Sequence, residues 1–86
     1  MKRLIFTKEE NSYSTHMFIA RGYVIIGHVF NLDDKFLYSI TDLNTGVILE
    51  FGTTKTLTSS KKEIKNKFKE LGVVFYDEVR KKLEVM

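Results

Sequence analysis

A row of lysines is the one group of side chains in this 86-residue chain whose types and spacing suggest chemistry. A lysine is a strongly hydrated point charge on a flexible stem, so a row of them can lie along a phosphate backbone and displace its counterions. Because Lys reads bases poorly, contacts with backbone and shape are expected rather than sequence recognition. The candidate nucleic-acid-binding residues are Lys55, Lys61, Lys62, Lys65 and Lys69.

The other polar residues give little support to catalysis. The two histidines, His16 and His28, fall at or within strand-like segments, with no nucleophile at a recognisable spacing. The carboxylate pairs at 9–10 and 33–34 lie in predicted loops, where such side chains usually form turns. No phosphate-binding loop or metal-ligand spacing is present. We therefore expect a protein that is not an enzyme and needs no cofactor or metal.

Size and composition predict a single domain over residues 1–86. The chain is 43% hydrophobic and has no cysteine, so its stability must come from packing. Its longest apolar run, residues 23–26, is far shorter than the roughly 20 residues that span a bilayer. These features predict a cytoplasmic protein with no membrane partner. The absence of proline and the many Lys, Ile and Asn residues suggest a phage or mobile element with an AT-rich genome.

Positive charge is concentrated towards the end of the chain. Residues 1–60 contain six Lys and Arg against six Asp and Glu, whereas residues 61–86 contain eight against five. The net charge of +3 therefore arises entirely from the last part of the sequence. Such asymmetry favours a polyanionic partner, although lysine-rich helices also face water in many ordinary proteins.

The first two thirds of the chain predict an antiparallel sheet of four or five strands, and a helix packed on it gives an α+β domain. Gly22 is expected to be a hinge, Gly27 a bulge or close contact, and residues 44–46 a tight turn capped by Asp42. The apolar strand 23–30 should be central and covered on both faces. The predicted strands span 4–6, 16–21, 23–30, 35–42 and 46–51, with a polar loop at 8–14.

The helix is the clearest element of the sequence. Ser60 and Glu63 fit a capping box at its start, and Gly72 fits a left-handed stop at its end. One apolar stripe is expected to face the sheet, with Lys61 and Lys67 beside it and three lysines on the solvent side. The stripe consists of Ile64, Phe68 and Leu71, and the solvent-facing lysines are Lys62, Lys65 and Lys69. Residues 73–86 fit either a strand or a helix, and we expect a strand at 73–76 followed by a short helix.

Two family resemblances involve this helix. The segment 46–71, GVILEFGTTKTLTSSKKEIKNKFKEL, resembles the last strand and helix of a double-stranded RNA-binding domain. Ser60, Lys61, Lys62 and Lys65 match the helix start whose lysines contact phosphates in that family. The segments FLYSITDLNTG and TSSKKE are similar to the arm-type DNA-binding domain of tyrosine recombinases. Either resemblance implies nucleic acid as the partner.

An alternative function comes from the sheet. One helix can cover only one face, yet both faces carry apolar residues, and an exposed apolar patch usually marks an association surface. This predicts a small protein-interaction module, such as an inhibitor, an adaptor or a homodimer, unless residues from 73 onward cover the face. The uncovered face is expected to include some of Phe18, Val24, Ile26, Phe30, Leu37 and Ile48.

Overall fold

A computed structural model describes residues 4–73, which form one open antiparallel sheet with one helix packed on it. This confirms the α+β class. The predicted strand and helix after residue 73 lie outside the described residues. The elements are β1 (Phe6–Lys8), β2 (Ser12–Thr15), β3 (Phe18–Ala20), β4 (Tyr23–Asn31), β5 (Phe36–Asp42), β6 (Val47–Thr54) and α1 (Leu57–Glu70).

The sheet has the strand order β1-β2-β4-β5-β6, and β3 pairs with β4 on the side where β2 also pairs. Residues 4–73 therefore hold six strands where four or five were predicted, because β2 lies within the segment interpreted as a polar loop. β2 contains only one large apolar residue, Tyr13, so it shows no alternating pattern of its own. Its place is set by pairing with β4, which is central as predicted.

The break between β2 and β3 is bridged by a side chain. Gly27 in β4 faces this break, and its N–H donates to Thr15 Oγ1 at 2.9 Å. The Thr15 hydroxyl in turn donates to the carbonyl of His16 at 2.8 Å. Since both groups are buried or nearly so, the threonine replaces the ladder bond that the interrupted edge cannot supply. The predicted close contact at Gly27 is confirmed, because the helix passes directly over it.

Two turns at the same end of the sheet were predicted correctly. Arg21 and Gly22 both have positive φ, 50° and 84°, as the two-residue connection between β3 and β4 requires. In the β5–β6 turn, Asp42 accepts from the Asn44 N–H at 3.1 Å and from the Thr45 hydroxyl at 3.0 Å. Gly46, with φ 76°, completes that turn.

The hydrophobic core lies between α1 and one face of the sheet. Phe18 and Phe68 meet edge to face, with ring centroids 5.2 Å apart. Phe18 is therefore buried beneath the helix and is not one of the candidate residues that lie on the uncovered face. The register gives the reason, since Phe18 pairs with Ile25, whose side chain points to the helix. The buried core consists of Phe18, Ala20, Ile25, Val29, Ile40, Ile64 and Phe68.

The helix begins one turn earlier than its capping-box pattern predicted. Its N-cap is Thr56, whose extended backbone lets Oγ1 accept from the Ser59 N–H at 3.1 Å. Thr56 Oγ1 also donates to Ser59 Oγ at 2.8 Å, so Ser59 takes the place usually held by Glu or Gln in a capping box. Ser60 is fully buried inside the first turn and is not the cap.

The C-terminal end of the helix is as predicted. Gly72 has a φ of 100°, its N–H donates to the carbonyl of Lys69, and the Val73 N–H donates to that of Phe68, both at 3.0 Å. This pair of bonds is a Schellman motif, which satisfies carbonyls that the helix leaves open.

Candidate nucleic-acid interface

Four of the five candidate lysines lie on one side of α1. At about 100° per residue, Lys61, Lys65, Lys69 and Lys62 fall within a sector of about 100° that begins beside the buried stripe. We call these four residues the lysine flank. Lys61 and Lys65 are half-buried, whereas Lys62 and Lys69 are exposed. The flank extends over about 12 Å of helix at 1.5 Å per residue.

Aromatic rings on the first two strands hold the inner edge of the lysine flank. Lys61 Nζ lies 5.1 Å from the ring centroid of Phe6 and 5.3 Å from that of Tyr13. A cation within about 6 Å of a ring face is attracted by the ring quadrupole. These contacts direct the Lys61 side chain towards β1 and β2, so this end of the flank lies over that edge of the sheet.

The opposite side of the helix carries charges of both signs. Lys67 Nζ lies 3.3 Å from Glu50 Oε2 on β6 and 3.5 Å from Glu70 Oε2. Its hydrogen bond to Glu50 and the charge of that carboxylate raise the pKa of Lys67, and Glu70 adds to the effect. Glu63 falls on the same side by helical rotation. Lys67 therefore belongs to an acidic side of the helix that faces β6, not to the lysine flank.

The carboxylates on this acidic side also affect the pKa of Tyr38 in β5. Partial burial raises the pKa of the Tyr38 phenol above its ordinary value of 10.0, and the negative charges of Glu63 and Glu50 raise it further. Its hydroxyl occupies the space above Gly52, where a Cβ would be only 2.7 Å away. The side chains facing β6 thus form a network of carboxylates, one lysine and one phenol, and its carboxylates would repel a phosphate group.

Lys55 stands apart from the lysine flank. Lys55 is exposed and directly follows β6, which is one edge strand of the sheet. Lys61 lies near the other edge, with its ammonium group over the ring of Phe6 in β1. The fold therefore brings together four of the five predicted site residues and leaves Lys55 outside the cluster.

Two backbone N–H groups in the first turn of α1 are not available to an anion. The N–H groups of Ser59 and Ser60 are already used, the first by Thr56 Oγ1 and the second by the carbonyl of Thr56 at 3.2 Å. The Thr54 hydroxyl donates to that same carbonyl at 2.7 Å, and it lies 2.6 Å from Ser60 Oγ. Because a hydroxyl has one proton, Ser60 donates in this last bond. This hydroxyl cluster closes the first turn internally.

Two basic residues beside the flank could not be recognised from the sequence. Lys8 was assigned to a loop, but it lies on β1 and pairs with Tyr13, which places it on the helix-bearing face. Arg21 lies in the β3–β4 turn, and its Nε is 3.3 Å from the Cβ position that a side chain at Gly72 would take. Lys8 and Arg21 thus stand near opposite ends of the lysine flank. Only the pairing of distant strands brings them there.

Acidic loops lie at the end of the sheet where the helix starts. The β1–β2 and β4–β5 turns are joined by a bond from the Asn31 N–H to the carbonyl of Asn11 at 2.8 Å. These turns carry the pairs 9–10 and 33–34, all four residues exposed. Negative charge there is unfavourable to a polyanion, and Arg21 lies at the opposite end of the sheet.

The face of the sheet away from α1 is not covered by any described element. On it, Ile19 is 80% exposed and Phe51 71%, and Ile48 and Phe30 are also exposed. His28 stacks on Phe30 with ring centroids 5.9 Å apart and an angle of 18° between the rings. Among residues 4–73 there is no cluster of three or more potential metal ligands and no helix that could span a bilayer.

Comparisons with models of protein families, with curated proteins and with solved structures found no significant match. The two family resemblances therefore stay predictions. The geometry that defines the site is four lysines on one side of α1, one of which, Lys61, lies over two aromatic rings.

Proposed function

We propose that this protein is a non-enzymatic binding module that holds the phosphate backbone of a nucleic acid duplex on its lysine flank. The observation that carries the proposal is the separation of charge across α1. Lys61, Lys62, Lys65 and Lys69 share one side, and the carboxylates of Glu63 and Glu70 lie on the other side with the Glu50–Lys67 ion pair.

The binding surface extends beyond the helix. Lys8 and Arg21 add positive charge near either end of the flank, and the Phe6 and Tyr13 rings limit the motion of Lys61. A positioned cation loses less side-chain freedom on binding, so Lys61 can add its charge at a low entropic cost even though acidic turns lie near it. The surface holds one Arg and several Lys, so it favours backbone contact over base reading.

A salt titration with DNA and RNA duplexes of equal length tests this proposal. Each phosphate contact contributes about −0.9 to the slope of log K against log salt on B-DNA. Replacing Lys62, Lys65 and Lys69 together by Gln should make the slope shallower by about 2–3. Preference for the RNA duplex would agree with the first family resemblance, and preference for the DNA duplex with the second.

Lys67→Gln is the matched control, because it removes a lysine from the same helix on the acidic side. It should leave the slope unchanged, and circular dichroism should show that both variants keep their helix. The proposal fails if neither duplex binds at low salt. It also fails if the control and the triple variant lose binding equally.

A second candidate function, a protein-interaction module, is favoured by the uncovered sheet face. Four large apolar side chains are exposed there, although an isolated soluble domain usually buries such a group. The lysine flank and this face lie on opposite sides of the sheet, so one protein can use both. The four residues are Ile19, Phe30, Ile48 and Phe51.

A further inference from the structure

The residue composition of the uncovered sheet face would allow it to pack against the same face of a second copy of the chain. Register assigns the strand residues to it, because cross-strand partners share a face. None of those residues is Asp, Glu, Lys or Arg, so two such faces can meet without repulsion between like charges. They are Thr7, Ser12, Ser14, Ile19, Val24, Ile26, His28, Phe30, Leu37, Ser39, Thr41, Ile48, Phe51 and Thr53.

The polar side chains on this face can also satisfy one another. All of them are Ser, Thr or His, and a hydroxyl group both donates and accepts hydrogen bonds. Ser14 is a cross-strand partner of His28, and Thr41 is the partner of Ile26, whereas Ser39 on the same face is already buried. Identical groups brought together by a two-fold axis can therefore pair, which rows of carboxylates or ammonium groups could not do.

The face is also large enough for a stable interface. Five strand positions about 4.8 Å apart and a length of about 25 Å give on the order of 600 Å² in projection. The side chains project from the sheet, so the accessible area is larger than this projected area. Standard interfaces bury roughly 600–1,000 Å² on each partner, so this face reaches the lower end of that range.

We propose that the uncovered face is the interface of a homodimer, in which two sheets pack face to face and both helices lie on the outside. This deepens the second candidate function by naming its partner as a second copy of the chain. Packed sheets of this kind lie about 10 Å apart with strands at about −30°. The lysine flanks stay exposed in such a dimer, so its assembly and its binding of nucleic acid are separable.

Sedimentation of the full chain over a range of concentrations tests the dimer. The expected result is a reversible shift from 10.1 kDa to twice that mass. Phe51→Lys and, separately, Ile48→Lys should each raise the dimer Kd at least about 100-fold, because each puts two charges into an apolar interface. Helix content by circular dichroism should be unchanged, and so should the salt slope of duplex binding.

Val47→Lys is the matched control. Val47 lies on the same strand and is 55% exposed, but it pairs with Asp42 on the helix-bearing face. This variant should still dimerise. A wild-type chain that stays monomeric at about 1 mM would overturn the proposal and indicate that the face is open or covered by residues 74–86. Dimer loss in Val47→Lys with retention in both face variants would also overturn it.

Discussion

Gly27 of β4 lies directly beneath Ile64 of α1, so closely that a Cβ on the glycine would be 2.7 Å from Ile64 Cγ2 and 3.3 Å from its Cδ1. Real Cβ atoms essentially never come this near another side chain. Ile64 is fully buried, so it cannot swing into solvent to make room. The distance between helix and sheet is therefore set by the absence of a side chain at position 27.

Gly27→Ala should destabilise the domain by about 1–3 kcal/mol, because the added methyl group overpacks this contact. Chemical denaturation measures the change. In a double-mutant cycle with Ile64→Ala, the cost of the alanine at 27 should become smaller, since the opposing methyl groups are gone. Equal costs in the two backgrounds would contradict the contact.

Thr56→Ala should cost about 1 kcal/mol, because it removes the side chain that caps the first turn. Glu63→Ala should change stability by less than about 0.5 kcal/mol, since Glu63 is exposed and does not reach back to the helix start. Thermal denaturation of both variants compares the two positions. The reverse order would support the capping box that the sequence predicted at Ser60.

Lys61→Met should lower the free energy of unfolding by about 0.5–1 kcal/mol, because methionine keeps the aliphatic contact with Phe6 and Tyr13 but loses the charge over their rings. Lys62→Met is the control, as Lys62 is exposed and should change stability by no more than about 0.5 kcal/mol. Urea denaturation of the two variants measures the change in the free energy of unfolding. Equal effects would mean that the rings do not hold Lys61.

Stability should fall as the pH rises above about 10, because the pKa values of Tyr38 and Lys67 are both raised by folding. The folded state holds these protons more tightly than the unfolded state does. The resulting stabilisation is complete below the ordinary values of 10.0 and 10.5 and is lost as the pH passes through the raised ones.

Tyr38→Phe should make the alkaline decline in the urea midpoint less steep, because one of the two raised groups is removed. Tyr23→Phe, which removes an exposed tyrosine from the far end of β4, serves as the matched control. An identical decline in Tyr38→Phe and the unaltered protein would show that burial and the two carboxylates do not act on this phenol.

Local patterns were sufficient to predict most of the fold. The alternation in β5 and β6, the Asp42 turn and Gly72 each act within a few residues, so the sequence displays them directly. β2 was missed because its position depends on pairing with β4, and the residues of β2 carry no pattern of their own. The helix start was misplaced because Thr56 and Ser60 are equally good caps by type. Only the Thr54 hydroxyl and the core under Leu57 distinguish them.

The candidate site was only partly predictable for the same reason. Helical spacing identified Lys62 and Lys69 as exposed, whereas Lys65, which was also expected on the solvent side, is half-buried. Helical spacing could not show that Lys61 would rest on Phe6 and Tyr13 or that Lys67 would meet Glu50, because both contacts depend on strand order. Lys8 and Arg21 join the surface through the same long-range pairing.

The opposite charges on the two sides of α1 also affect how the molecule would approach a partner. With Lys61 and Lys65 on one side and Glu63 and Glu70 on the other, the helix has an electric moment across its width as well as along its axis. In the field of a nucleic acid, such a moment turns the protein before contact is made. Substitutions that remove the electric moment across α1 should therefore slow association with a nucleic acid at low salt more than they speed dissociation.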